Sequence, residues 1–253
     1  MIRYFVFLLM TLFLSSCATP VKTPTVVSPA SVPIVVQPPQ PVMPRQDIFH
    51  IVAPGETFWR IGKMYDVPGQ NVARANRLSM DSVLRKGDRL RIPNAAPVQS
   101  VISLYPSKRW KNIIIHHSAT DEGDSLLFDK AHLRKGWDGV GYHFVIDNGT
   151  KERMDGQIEV SPRWLKQVPG AHCKADDMNE RSIGICLVGN FNEGLPSKKQ
   201  MDALVDLVNK LRLYYNIPIE RIMGHGQVHG AKTDCPGKRF MWDDFRQRLR
   251  KQQ

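Results

Sequence analysis

The sequence predicts an α/β protein in two globular units. One is a small β-α-α-β unit at residues 48–93. The other is a larger domain at 108–253 in which strands alternate with helices. Three observations carry this. Residues 48–93 hold a strand signal, two short helical patterns and a closing strand within one compact stretch. The larger region places the β-branched run Asn112-Ile113-Ile114-Ile115 and the apolar run SIGICLVG in alternation with amphipathic helical periodicity, the mark of the α/β class. A tract at 18–47, rich in Pro, Val, Ser, Thr and Gln, cannot pack a core and separates these units from the N-terminus.

Composition narrows the partners. The 253 residues are 42% hydrophobic and 23% charged, ordinary for globular protein. The formal net charge of +11 draws the chain toward polyanions, whether nucleic acid, an anionic lipid surface or an anionic wall polymer. No Lys/Arg run exceeds three residues and no nucleic-acid motif is visible, so nucleic acid is not an expected partner. Cysteines at 17, 173, 186 and 235 are too few and too scattered for a disulfide framework.

Residues 1–17 read MIRYFVFLLMTLFLSSC. Arg3 supplies a positive start, and Phe5 to Leu14 is an apolar stretch broken only by Thr11, too short for a spanning helix and suited to a secretory signal. The end, Leu14-Ser15-Ser16-Cys17, resembles the lipobox of bacterial lipoproteins. That resemblance implies cleavage before Cys17 and acylation of Cys17, a membrane anchor. Ala18 in place of Asp implies the outer membrane of a Gram-negative cell, facing the periplasm. The linker 18–47, extended at ~3 Å per residue, would carry the globular part several tens of ångströms from its anchor.

Ile48 to Val52 is an expected strand, and Pro54-Gly55 a turn. Thr57 is placed to cap a helix bearing Phe58, Ile61 and Tyr65. Val67-Pro68 stops it, and Val72, Ala75 and Leu78 mark a second helix. Lys86-Gly87-Asp88 is a turn before a closing strand, Arg89 to Ile92. The segments HIVAPGETFWRIGKMYDV, ARANRL and LRKGDRLRIP resemble a LysM module over its whole length. The resemblance implies binding of N-acetylglucosamine-containing glycans, with Gly55, Glu56, Thr57 and Phe58 on one side of a shallow groove and Leu84 on the other. Residues 94–107 read as a linker.

In the second unit, Asn112 to Ile115 is a buried strand running into His116-His117. Adjacent strand residues face opposite ways, so one of the two histidines at most serves a given site. Ser125 to Lys135 reads as a helix, Val140 to Asp147 as a strand turning at Asn148-Gly149, and Ser182 to Gly189 as a third strand. Ser197 to Tyr215 carries Met201, Leu204, Val205, Val208, Leu211 and Leu213 on one face, with Ser197 and Gln200 placed as a capping box. Ile222-Met223 is a short strand and Asp243 to Lys251 a last helix. Trp59, Trp137 and Trp164 read equally as packing or as sugar-stacking residues, and Trp164, in the loop-like SPRW segment, is the best placed of the three for a cleft wall. Cys186 reads as a buried thiol, with pairing to Cys173 open, and His117 and His143 read as structural.

The stretch Gly224 to Gly237, GHGQVHGAKTDCPG, holds two histidines and a cysteine within eleven residues. Imidazole and thiolate are favoured zinc ligands. The glycines and Pro236 argue against a continuous helix, which weakens His229 as a partner of His225. Two ligands in one loop do not make a site, and a third has to come from elsewhere.

The ordered strings IIIHHSAT, GWDGVGYHFVID, GAH, NERSIGICLVGN and the late GH with CPG ten residues on resemble the zinc N-acetylmuramoyl-L-alanine amidases of the phage-lysozyme and peptidoglycan-recognition type. The resemblance implies a central mixed sheet flanked by helices. It implies one Zn²⁺ held by His116, His225 and Cys235, with a fourth position left for water. It assigns Tyr142 to the reaction, together with an assistant two residues before Cys235, which is Thr233 here, with Lys232 beside it as the other candidate. It places His172 in the substrate cleft and Asn179 against the substrate peptide. The implied reaction cuts the amide between N-acetylmuramic acid and L-alanine in peptidoglycan or muropeptides, by a monomer. Rival readings are a recognition module that binds without cutting and a tether between outer membrane and wall.

Overall fold

The structure, a computed structural model, describes residues 44–251. The leader, Cys17 and most of the 18–47 tract lie outside the described residues. No helix among the described residues is long and apolar enough to cross a membrane.

Strand β1 (Gln46–Ile51) pairs antiparallel with β2 (Arg89–Ala95), and helices α1 (Phe58–Tyr65) and α2 (Gly69–Ala75) pack between them in sequence. Thr57 caps α1 by accepting a hydrogen bond from Arg60 N at 3.3 Å. Val52, Phe58, Ile61, Val72, Leu90 and Ile92 close a small core. Burying each large apolar side chain contributes roughly 1.5–3 kcal/mol. The second helix stops before Leu78, which is exposed. Asn76 ends it, donating from Nδ2 to Val72 O at 2.7 Å and to Arg91 O at 2.8 Å.

The larger domain is built on a mixed five-stranded sheet. Its strands are β3 (Asn112–His117), β4 (Phe144–Ile146), β5 (Ile158–Val160), β6 (Ser182–Leu187) and β7 (Ile222–Gly224), in the order β5-β4-β6-β3-β7. β3 runs parallel to β6 and β7, β4 parallel to β6, and only β5 is antiparallel. Helices α3 (Ser125–Arg134), α4 (Pro162–Leu165), α5 (Met178–Arg181), α6 (Lys198–Tyr215) and α7 (Trp242–Arg250) flank it. Ile113 and Ile115 join the main core with Leu204, Val208 and Leu211 of α6, while Ile114 packs with Met178 and Val228. The alternation of β3 therefore turns His116 to the face opposite α6. The capping box of α6 forms: Ser197 Oγ accepts from Gln200 N at 3.0 Å, and Gln200 Oε1 from Ser197 N at 3.1 Å. Leu213 is the exception on that helix, at 59% exposed.

Three sequence expectations change. Val140 to Asp147 forms a strand only over Phe144–Ile146, and its partner β5 follows a long connection instead of a tight turn at Asn148-Gly149. Asn148 Oδ1 accepts from Thr150 N at 3.3 Å, which starts a wider loop. Trp164 is fully buried, not a cleft wall. Ser161 caps α4, and that turn aims the indole at Phe144 and Trp110, with Nε1 donating to Ser103 O at 2.8 Å. Residues 94–107 are also packed: Val98 and Val101 cover the small core, and Ile102, Leu104 and Tyr105 the large one.

A charged junction joins the small unit to the larger domain. Arg153, in the β4–β5 connection, donates from Nη1 to Ile51 O at 2.9 Å. Its guanidinium lies 3.3 Å from Glu159 and 3.5 Å from Asp124, all three side chains nearly sealed from solvent. Lys86 meets Asp129 at 2.5 Å, and Gly55 packs toward Pro162 and Leu165.

Candidate metal centre

His116 stands at the end of β3. His225 follows β7 in a single 3₁₀ turn, and Cys235 returns on the loop after it. Gly226 N donates to Cys235 O at 2.7 Å, which ties the two ligand-bearing segments together. A Cβ at Gly226 would overlap Thr233 O, so this crossing requires glycine. One ligand atom each from His116, His225 and Cys235 lies within 4.8 Å of the others. Cys235 Sγ is 3.6 Å from His116 Nδ1 and accepts from His117 N at 3.4 Å.

Two imidazoles and a thiol fit a zinc ion. With Zn–N near 2.0–2.1 Å and Zn–S near 2.3 Å, a tetrahedral site separates N from S by about 3.5 Å. Burial, then the neighbouring His172 and His225, hold the His116 imidazole well below its ordinary range, and burial lowers His225. Both rings are therefore neutral and offer lone pairs. Burial pushes the Cys235 thiol up to about 12, opposed by the His117 N–H, so a thiolate there needs a cation to offset it.

Tyr142 packs beside His116, ring centroids 5.2 Å apart. Burial, and then the Cys186 and Cys235 sulfurs, raise its phenol well above the usual range, so it stays a hydrogen-bond donor. Thr233 is exposed, and its Oγ1 accepts from Cys235 N at 3.1 Å, leaving its own proton to donate. Lys232 is exposed next to it.

His172 and Asn179 sit less openly than the sequence suggests. His172 is buried, with Nδ1 at 3.0 Å from His116 Nε2. Asn179 Oδ1 accepts from His172 N and Cys173 N, both at 2.8 Å, so its carbonyl is spent on the loop. His117 Nδ1 accepts from Phe191 N at 3.1 Å, His143 is fully buried, and His229 is exposed. Cys173 and Cys186 are free thiols.

The expected glycan contacts of the small unit are largely used internally. Glu56 pairs with His50 at 2.7 Å and accepts from Ala53 N at 2.7 Å. Burial opposes its ionisation, yet the hydrogen bond and charge of His50 keep its carboxyl below the usual range. Thr57 caps α1, Phe58 is core, and Leu84 is half-buried against that core, while Gly55 is exposed.

The behaviour of His172 as a partner of His116, and of Arg153 as a buried cation, was not legible in the sequence. Neither belongs to a periodic pattern, and their partners lie far away along the chain.

Comparison with known proteins places the sequence in a family. The N-acetylmuramoyl-L-alanine amidase family profile matches residues 106–238, and the LysM domain profile residues 50–93. Peptidoglycan-recognition protein LB of Drosophila melanogaster is 33% identical over 140 residues, which cover 51% of this chain and 55% of that protein. An endolysin of Klebsiella phage KP32 is 34% identical over 133 residues, covering 49% of this chain and 78% of the endolysin. Among solved structures, the N-acetylmuramoyl-L-alanine amidase LysC from Clostridium intestinale aligns at 31% identity with a TM-score of 0.47, over 60% of this chain and 95% of that one. The chain spans about half the length of several curated relatives it matches, including 52% of peptidoglycan-recognition protein 2 of Holotrichia diomphalia. The amidase profile alone accounts for more than half of the sequence, and the chain belongs to the N-acetylmuramoyl-L-alanine amidase family, with a LysM domain ahead of the amidase domain.

Proposed function

We propose that the protein is a zinc-dependent amidase that cleaves the bond between the lactyl group of N-acetylmuramic acid and L-alanine in peptidoglycan or muropeptides. The observation that carries this reading is the convergence of His116, His225 and Cys235 on one point, with the Tyr142 ring packed against His116. The endolysin relatives support the same activity. When bound, zinc supplies Lewis-acid polarisation of the amide carbonyl and activation of water. The protein's own residues do the rest. Tyr142 stays protonated and donates to the carbonyl oxygen as charge develops on it. Thr233 keeps its hydroxyl proton for the reacting groups because its oxygen lone pair takes the Cys235 N–H. Lys232, exposed next to Thr233, is the cation of the pair and can supply a proton to the leaving amine.

The LysM domain holds the glycan of the polymer. Cleavage before Cys17 and its acylation place the monomer on the outer membrane, facing the periplasm, with the 18–47 tract as tether. The peptidoglycan-recognition relatives favour one second reading, a module that binds peptidoglycan without cutting it. Mass spectrometry of products from purified sacculi and from 1,6-anhydro-muropeptides separates the two. The amidase reading expects free stem peptides that begin with L-alanine, and glycan left intact. Recovery of uncut material, or of disaccharide-peptides, favours the second reading or another bond.

A further inference from the structure

We propose that His172 is a positioning residue that holds His116 in its metal-ready tautomer, filling with a neutral imidazole the place where many zinc sites put a carboxylate or a carbonyl. This rests on the zinc reading above.

His116 Nδ1 is the nitrogen that faces Cys235 Sγ, at 3.6 Å. To offer a lone pair there, the ring must carry its proton on Nε2. That N–H needs an acceptor because the His116 ring is buried and an unsatisfied buried donor is costly. His172 Nδ1 stands 3.0 Å away. His172 therefore accepts at Nδ1 and carries its own proton on Nε2, which faces the backbone of Ser182 without closing a good hydrogen bond.

The surroundings are built for this ring. Asn179 accepts from two successive backbone N–H groups, those of His172 and Cys173, and its own carbonyl accepts from Gly170 N at 2.9 Å. A Cβ at either Gly170 or Gly184 would overlap the His172 imidazole. Gly184 lies in the middle of β6, where glycine weakens a strand, and the slot it opens accounts for it. His143 closes the far side edge-on, 5.6 Å between centroids, with Nδ1 accepting from Gly184 N at 3.0 Å. The chemical consequence concerns charge. A carboxylate behind His116 would add a negative charge beside the cation. An imidazole orients the ligand without one and leaves the cation more electrophilic.

The test measures zinc affinity of the full chain by competition with a chromophoric chelator, for the wild type, His172→Ala and His172→Asn. Asn places an acceptor oxygen near the position of Nδ1. His172→Ala is expected to weaken zinc binding by about 10–100-fold, and His172→Asn to recover most of the loss. Circular dichroism and urea midpoints of the zinc-free proteins establish that they are folded. Affinity of a folded His172→Ala within twofold of wild type overturns the proposal, as does a folded His172→Asn no better than His172→Ala. Should His172→Ala not fold, long-range ¹H–¹⁵N spectra of the zinc-loaded wild type decide. A proton on Nε2 of His172 supports the assignment, and a proton on Nδ1 overturns it. A wild-type chain that binds no zinc fails the hydrolase reading itself, which is a different result.

Discussion

Cys235 Sγ lies 3.6 Å from His116 Nδ1, although 119 residues separate them in the chain. The sheet order explains the approach. β3 is flanked by β6 and β7, so the loop after β7 returns beside the end of β3 and brings Cys235 to His116. Removal of this thiol is expected to abolish stoichiometric zinc binding and stem-peptide release. A Cys235→Ala protein should still sediment with purified peptidoglycan through the LysM domain. Zinc retained at one equivalent per chain in that variant would place the metal elsewhere.

Tyr142→Phe removes the phenolic donor while keeping the ring packed against His116 and Phe128. Loss of one oxyanion donor costs about 10²–10³ in kcat. The expected signature is a fall of that order in kcat, with KM and zinc content little changed. An unchanged kcat would remove Tyr142 from the chemistry.

Among the described residues, Arg153 is the cation that pairs with Asp124 and Glu159 in this buried junction, and the buried Asp147 carboxyl lies beside Glu159. Burial, and then Glu159, push the Asp147 carboxyl well above its usual range. Arg153→Met is expected to destabilise the protein by about 3–5 kcal/mol, because it strands buried charge. Adding Glu159→Gln should recover part of the loss. Urea unfolding of the single and double variants measures both, and a double variant no more stable than Arg153→Met would contradict the pairing.

His143 sets an acid limit on the zinc-free protein. Gly184 N donates to His143 Nδ1 at 3.0 Å, and Nε2 lies 3.2 Å from Val168 O, so the ring is a neutral Nε2–H imidazole. Burial lowers its pKa from 6.5 to about 4. The unfolded chain then binds more protons than the folded one between these values, so stability rises with pH across that window. It is complete above about 6.5 and is lost as pH falls toward 4, by about 3 kcal/mol from this group. His116 and His172, lowered in the same direction by burial, add to the trend. Urea unfolding at pH 7 and at pH 4.5 checks the sign, and equal stability at the two pH values would refute it.

Much of this was readable in the residues. The period-two rule separated His116 from His117, and the structure sends them to opposite faces of β3. The capping box of Ser197 and Gln200, the cap at Thr57 and the run of β3 were local signals, and they formed as read. What stayed hidden depends on partners distant in sequence. Trp164 looks like a loop residue because the four-residue helix that turns it inward has no periodicity. Glu56 looks like a surface contact until His50, across the turn, claims it. Arg153 sits among turn residues, and only the fold supplies Ile51 O from 102 residues away. His172 reads as a cleft residue because nothing local reports the two glycines that form its slot.

The central claim is that the residues His116, His225 and Cys235 hold a zinc ion that the reaction requires. The most direct measurement is the release of stem peptide from purified peptidoglycan by the full chain, before and after treatment with EDTA and again after zinc is restored. The account predicts release from the untreated protein, none after chelation and recovery with one equivalent of zinc. Release that continues unchanged in EDTA would contradict it.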